Sequence, residues 1–214
     1  MAYAVKEVFY TLQGEGMNAG RPAVFLRFTG CNLWTGREED RHRGTGGCSR
    51  WCDTDFVGMD GEGGGRFDSP AALARHVAST WRGDTHTSRL VVCTGGEPLL
   101  QLDAPLVAAL HSEGFEVSVE TNGTQPVPTG VDWVCVSPKA GAPLQVREGD
   151  ELKLVFPQEG LGPQDFEALA FRHFILQPRD DARREQNTRE AVAYCLGHPR
   201  WRLGLQTHKL LGIP

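Results

Sequence analysis

The chain has 214 residues, 40% of them hydrophobic and 23% charged, a balance that belongs to folded globular proteins and excludes a disordered one. A formal charge of −5 argues against a general grip on nucleic acid, which needs a basic surface to displace counterions. No apolar run approaches the roughly 20 residues that span a bilayer, and the opening MAYAVKEVFY lacks the basic-then-apolar layout of a secretory signal. A cytoplasmic protein with no membrane or nucleic-acid partner is expected.

Taken in chain order, the first short apolar run is Val24–Phe28, which suits a strand buried on both faces. It leads into Thr29-Gly30-Cys31 and then a segment apart. Cys31–Asp68 spans 38 residues, is poor in apolar side chains and holds nine of the 26 glycines. Loops beyond about 12–15 residues are uncommon in compact domains and are usually functional or disordered. This one contains Cys48 and Cys52 as well, so a metal centre is expected to organise it. Ser69-Pro70 then reads as N-cap and first-turn proline of a helix carrying Leu73, Val77 and Trp81. After a strand at Leu90–Cys93, Asp103 caps a second helix with Leu102, Leu106 and Leu110 at helical spacing and Gly114 as its stop. Strands at Val117–Val119, Trp133–Val136, Leu152–Phe156 and Phe174–Leu176 follow, then a helix from Thr188 to Leu196 and a last run at Trp201–Leu205. Gln125–Gly130 and 157–168 carry no clear helical pattern.

Alternating strands and helices predict an α/β fold with a parallel sheet, built as a single domain over 1–214. A complete eight-unit barrel takes about 250 residues. The expectation is therefore a partial, TIM-like barrel of about six parallel strands with reduced helices.

Most of these strands end in a polar, glycine- or proline-containing signature: TGC, TGGEP (94–98), ETNG (120–123), SPK (137–139), QPRD (177–180) and QTHK (206–209). Any one of them could be an ordinary turn. Six together point to a ligand mouth, because parallel sheets bind ligands at the carboxyl ends of their strands. Cys31, Cys48 and Cys52 are spaced C-x16-C-x3-C. Three thiolates can hold three irons of a 4Fe–4S cluster and leave the fourth iron open; a zinc site completed by His42 suits the spacing equally. Cys93, Cys135 and Cys195 lie in apolar patterns and read as small buried hydrophobes.

A three-cysteine loop after the first strand, followed by GGEP after the second, resembles the radical S-adenosylmethionine superfamily, and Trp51 fills the aromatic place directly before the last cysteine. The long loop, with YTLQGEG (10–16), GRPAVFLRFTGCNLW (20–34), CDTDFVG (52–58), CTGGEP (93–98), ETNG, SPK, QP and QTHK, resembles the 7-carboxy-7-deazaguanine synthase family over nearly the whole chain. One branch of that family has C-x14-C-x2-C, and both gaps are longer here.

The resemblance implies roles residue by residue. Cys31, Cys48 and Cys52 match the 4Fe–4S ligands, within a cluster-binding loop at 31–68. Trp51, Cys52, Asp53, Gly96, Ser137-Pro138-Lys139 and Gln177-Pro178-Arg179-Asp180 match the S-adenosylmethionine contacts, with Arg179 standing where the family tends to have Met. Thr54 matches the Mg²⁺ ligand. Leu12-Gln13-Gly14, Arg27, Thr94 and Pro214 match substrate contacts, with Glu120 and His208 as further candidates. Arg27 alternates with Leu26 and Phe28 and so points to the face opposite theirs; its guanidinium suits a carboxylate. The implied reaction converts 6-carboxy-5,6,7,8-tetrahydropterin to 7-carboxy-7-deazaguanine and ammonia, in a homodimer reduced by a flavodoxin-like electron donor. Two other classes stand beside it: a radical activase acting on a partner protein, and a zinc-stabilised binding module without catalysis.

Overall fold

The computed structural model of the protein describes residues 2–214. Nine strands form one sheet: β1 (Tyr3–Leu12), β2 (Pro22–Phe28), β3 (Gly65–Phe67), β4 (Arg89–Gly95), β5 (Phe115–Thr121), β6 (Trp133–Val136), β7 (Glu148–Phe156), β8 (Ala170–Pro178) and β9 (Trp201–Leu203). Their order is β3-β1-β2-β4-β5-β6-β7-β8-β9. From β2 to β9 every neighbouring pair is parallel, whereas β1 joins β2 and β3 joins β1 antiparallel.

The expectation of about six strands in a partial barrel is thus corrected to a mixed, mostly parallel sheet of nine, open at β3 and β9. The long strand β1 was hidden by its register. Pairing with β2 shifts between Val5 and Glu7, and the inserted residue breaks the two-residue alternation that marks a strand. The last three residues before Asp68 form β3, so the far end of the cysteine segment is ordered as an edge strand on β1.

Helices α1 (Pro70–Thr80) and α2 (Ala104–Ser112) form where a cap and an apolar stripe coincide, α3 (Arg184–Gly197) starts without a side-chain cap, and a short α4 (Thr207–Leu211) follows β9. Ser69 Oγ accepts from Ala72 N–H at 3.2 Å and Asp103 Oδ1 from Leu106 N–H at 3.0 Å, so both expected caps are in place. The third helix begins earlier than its pattern suggested. Asn187 lies inside it, buried, with Nδ2 donating to the Arg179 carbonyl at 2.8 Å and to Asp181 at 3.0 Å. Its polarity serves the loop it packs on.

Strand alternation then sorts the side chains. Val24, Leu26 and Phe28 of β2, Val91 and Cys93 of β4, and Val117 and Val119 of β5 pack against Leu73 and Val77 of α1 and Leu106 and Leu110 of α2. Leu152, Leu154, Phe174 and Leu176 of β7 and β8 form a second core with Ala191 of α3 and Trp201. The opposite face carries no long helix, and the residues pointing there are of another kind: Phe25 and Arg27, Thr94, Glu120, Cys135, Glu151 and Lys153, and Gln177. No helix among the described residues is long and apolar enough to cross a membrane.

Candidate active site

Two cavities open at the carboxyl ends of the strands on that face, where the only helix among the described residues is the short α4. The first, about 210 Å³, is lined by Cys31, Cys48 and Cys52, with Trp51, Thr94, Gly96, Ser137, Lys139 and Gln177 among its walls. Cys48 and Cys52 are brought to it by one backbone turn, closed by Cys52 N–H to the Cys48 carbonyl at 2.7 Å. The x3 spacing is therefore the spacing of a single turn. Burial raises the Cys31 thiol, and it raises Cys48 to about 11 against the pull of Lys139. Burial also lowers the Lys139 ammonium, which lies 6.0 Å from the Trp51 ring.

The long segment between Cys31 and Cys48 is pinned by Arg41, a residue that no sequence pattern singles out. Its guanidinium donates to the carbonyls of Ser49 at 2.7 Å and Cys52 at 3.1 Å, and stands 4.8 Å over the Trp34 ring. Backbone bonds from Thr45 to Leu33 and from Gly47 to Ala140 complete the tie. Gly96 has no room for a side chain. A Cβ there would stand 2.3 Å from the Gly30 carbonyl oxygen and 2.7 Å from Cys31 Cβ, so the GGEP turn can press on the first thiol only as glycine.

Glu97 of the same turn is fully buried and faces its neighbours: it accepts from Thr121 Oγ1 at 2.7 Å, Asn122 N–H at 2.8 Å and Leu99 N–H at 3.0 Å. It locks the ends of β4 and β5 together. Gln177 Oε1, by contrast, is buried in the cavity wall with no hydrogen-bond partner among the described residues. An unpaired buried acceptor costs about 1–3 kcal/mol, so a donor-bearing ligand suits this wall.

The second cavity, about 370 Å³, is lined by Leu12, Gln13, Gly14, Arg27, Thr94, Glu120, His208 and Pro214, all eight of the residues matched to substrate contacts. Arg27 Nε donates to Glu7 Oε1 at 2.7 Å, and the stacked rings of Phe9 and Phe25 line the same cavity. The last segment of the chain closes one side. Thr207 N–H donates to the Gly14 carbonyl at 2.9 Å, Lys209 bridges Asp53 and Asp180 at 2.8 Å each, and Thr11 Oγ1 donates to the Pro214 carbonyl at 2.9 Å. Lys6, almost buried, holds the 53–60 loop by contacts of 2.8 Å to Asp55 and to Asp60 and 2.9 Å to the Val57 carbonyl.

The cavities share a wall made of Glu15, Asp53, Thr54, Thr94, Glu120, Lys153 and Gln206. Thr54 stands on it. Pro138, Pro178, Arg179 and Asp180 do not line the thiol cavity; Arg179 pairs with Asp181 at 2.8 Å above a separate depression that also holds His42. Among the described residues no three His, Cys, Asp or Glu side chains converge closely enough for one metal ion. Gln206 opens the QTHK signature, whereas the sequence reading gives Glu15 and Lys153 no role, although Glu151 and Lys153 alternate with Leu152 and Leu154 inside a buried strand, where charges persist only when paired.

An α/β sheet with a three-thiol cavity and a charged cavity sharing one wall at its carboxyl edge defines an enzyme site. No family model matches the chain. It is 60% identical to the 7-carboxy-7-deazaguanine synthase of Bordetella pertussis and 60% identical to that of Caulobacter vibrioides, each over the full length of both chains. It is 40% identical to the one from Bacteroides thetaiotaomicron, again over the full length of both. The crystal structure of QueE from Escherichia coli superimposes with a TM-score of 0.68 at 27% identity, covering 96% of this chain and 94% of that one. The chain belongs to the 7-carboxy-7-deazaguanine synthase family and is an enzyme.

Proposed function

We propose that the enzyme converts 6-carboxy-5,6,7,8-tetrahydropterin to 7-carboxy-7-deazaguanine with loss of ammonia, and that residues 1–214 act as one unit in doing so. The observation that carries this reading is the shared wall: a cavity ringed by three thiols lies directly against one that presents an arginine to an anionic ligand. Cys31, Cys48 and Cys52 would hold a 4Fe–4S cluster, with S-adenosylmethionine against Trp51, Asp53, Gly96, Ser137, Lys139 and Gln177. The donor set supports the fit. A zinc ion needs four ligands converging at about 2.0–2.3 Å, whereas these thiols are spread round a cavity and His42 lies on another surface. The orphaned Gln177 oxygen suits a cofactor hydroxyl or amine. When bound, cluster and cofactor supply reversible hydrogen abstraction from a substrate carbon.

The chain's own residues then position the substrate and exclude water. Arg27 would face the substrate carboxylate, and Thr54 on the shared wall would offer its hydroxyl to Mg²⁺, a cation that takes few protein ligands and keeps several waters. Gln13, Glu120 and the tail segment would hold the ring. A homodimer and a flavodoxin-like electron donor belong to the same reading.

The test is anaerobic reconstitution with iron and sulfide analysis, followed by product assay from 6-carboxytetrahydropterin with and without Mg²⁺, in the wild type and in Thr54→Ala. About four irons per chain, product formation, and a Mg²⁺ response lost in Thr54→Ala are expected. Bound zinc without iron would overturn the cofactor assignment; iron without product would overturn the substrate.

A further inference from the structure

The shared wall contains a lysine, Lys153, that the roles above do not use. Lys153 Nζ lies 2.7 Å from Glu15 Oε2 and 2.8 Å from Glu120 Oε2. The two carboxylates come from distant parts of the chain, one in the loop after β1 and one at the end of β5. The oxygens that Lys153 joins lie within about 5.5 Å of each other, the sum of its two contacts. At that range two anions repel strongly in a poorly solvated site. The remaining oxygens have single partners: Gln206 Nε2 donates to Glu15 Oε1 at 2.8 Å and Gln13 Nε2 to Glu120 Oε1 at 3.2 Å. A carboxylate accepts about four hydrogen bonds, so each keeps free lone pairs beside both cavities.

Glu151 adds a third buried carboxylate, accepting from Met17 N–H at 2.9 Å and from Cys135 Sγ at 3.4 Å. The ammonium thus contacts two of three neighbouring carboxylates, Glu15 and Glu120. Burial alone would raise Glu15, but the Lys153 ammonium, with Gln206 and His208, outweighs it and holds that carboxyl down to about 2. Glu120 goes the other way, raised by burial and by its acidic neighbours against Lys153.

We infer that Lys153 is a positioning residue for the substrate: it clamps Glu15 and Glu120 into a paired acceptor for a ligand edge carrying adjacent N–H donors. The inference rests on the proposed substrate, whose ring bears such an edge. An ammonium behind the pair sets both the spacing of the acceptors and their tolerance of each other. A ligand presenting anionic or acceptor-only groups to this wall would be rejected.

The test compares Lys153→Met and Lys153→Arg with the wild type, reconstituted with cluster and cofactor. Lys153→Met is expected to raise KM for 6-carboxytetrahydropterin at least 20-fold while kcat falls less than fivefold, and Lys153→Arg to recover most of the KM. A fall in kcat with KM unchanged, or Arg behaving no better than Met, overturns the inference. Should Lys153→Met fail to fold, the double variant K153M/E120Q removes the repulsion, and its KM must exceed that of Glu120→Gln alone. Infrared difference spectra give a readout that needs no substrate. At neutral pH, Lys153→Met should gain a protonated-carboxyl band that the double variant loses. If no band appears, Lys153 does not hold the pair. If the wild type fails to turn over the pterin, the substrate reading falls while the infrared result still decides the clamp.

Discussion

The two cavities differ in how the chain builds them. The thiol cavity is assembled from contiguous signatures at successive strand ends, each carrying its own local geometry: the Cys48–Cys52 turn, the GGEP turn against Gly30, the SPK exit from β6. The second cavity is made of pieces far apart in sequence, with residues 12–15, Arg27, 53–55, Lys153 and 206–214 meeting only in the folded state. The first is held by backbone, the second by side-chain ion pairs. Damage to the first should therefore be local and severe, and damage to the second graded.

That contrast can be broken at several points. The largest effect expected is from Cys48→Ala, which should remove essentially all iron; retention of cluster in this variant would show that the thiol ring is not the ligand set. Next, deletion of residues 207–214 should raise KM for the pterin by 100-fold or more with iron content unchanged. Iron loss in that variant would mean the cavities are not separable. A matched pair of substitutions sharpens the point. Gly96→Ala drives a Cβ against fixed backbone at 2.3 Å and should cost about 1–3 kcal/mol and lower iron occupancy. Gly14→Ala meets only the His208 side chain, its ring at 2.2 Å and its Cβ at 2.8 Å, so the short α4 must shift with it while the core backbone stays in place; a KM increase is expected with less loss of stability, and equal losses of stability in the two would erase the distinction.

The effect of pH falls on stability and leaves both cavities' ligands in place. The folded-state Glu15 carboxyl lies at about 2, below its ordinary 4.5. Its contribution is therefore fully present above about 4.5 and lost as pH falls through about 2, and is at most about 3 kcal/mol. Glu120, raised by burial, offsets part of this at neutral pH. Urea unfolding of the wild type and Glu15→Gln should show a stability gap at pH 7 that narrows by pH 3; a gap that widens on acidification would contradict the ion-pair account.

Legibility in the sequence follows the same division. Parallel strands, the Ser69 and Asp103 caps and the thiol turn are local properties, so apolar runs, capping residues and glycine spacing report them. Six of the seven anticipated strands overlap the central run from β2 to β8, and Trp201–Leu205 overlaps β9. Strand β1 was lost to its register shift, and β3 to being three residues long inside a glycine-rich segment. The matched substrate residues fall together, but Glu15, Lys153 and Arg41 could not be found by pattern. Their meaning lies in partners remote in sequence or hidden in a loop, and a lone lysine in an apolar strand carries no address.

Strand β6 is four residues long, registers with β7 at only Cys135–Glu151 and Val136–Leu152, and is entered and left without a helix. It is the narrowest joint in the sheet, standing between the two helix-backed cores. The amides of β6 should be the first among the interior strands to exchange with solvent, through a local opening cheaper than global unfolding. Ligands that span the carboxyl ends on both sides of that joint act as a brace, and their binding energy adds to the cost of opening it. Occupancy of the site would then be readable as slowed exchange in a strand that supplies few of its contacts.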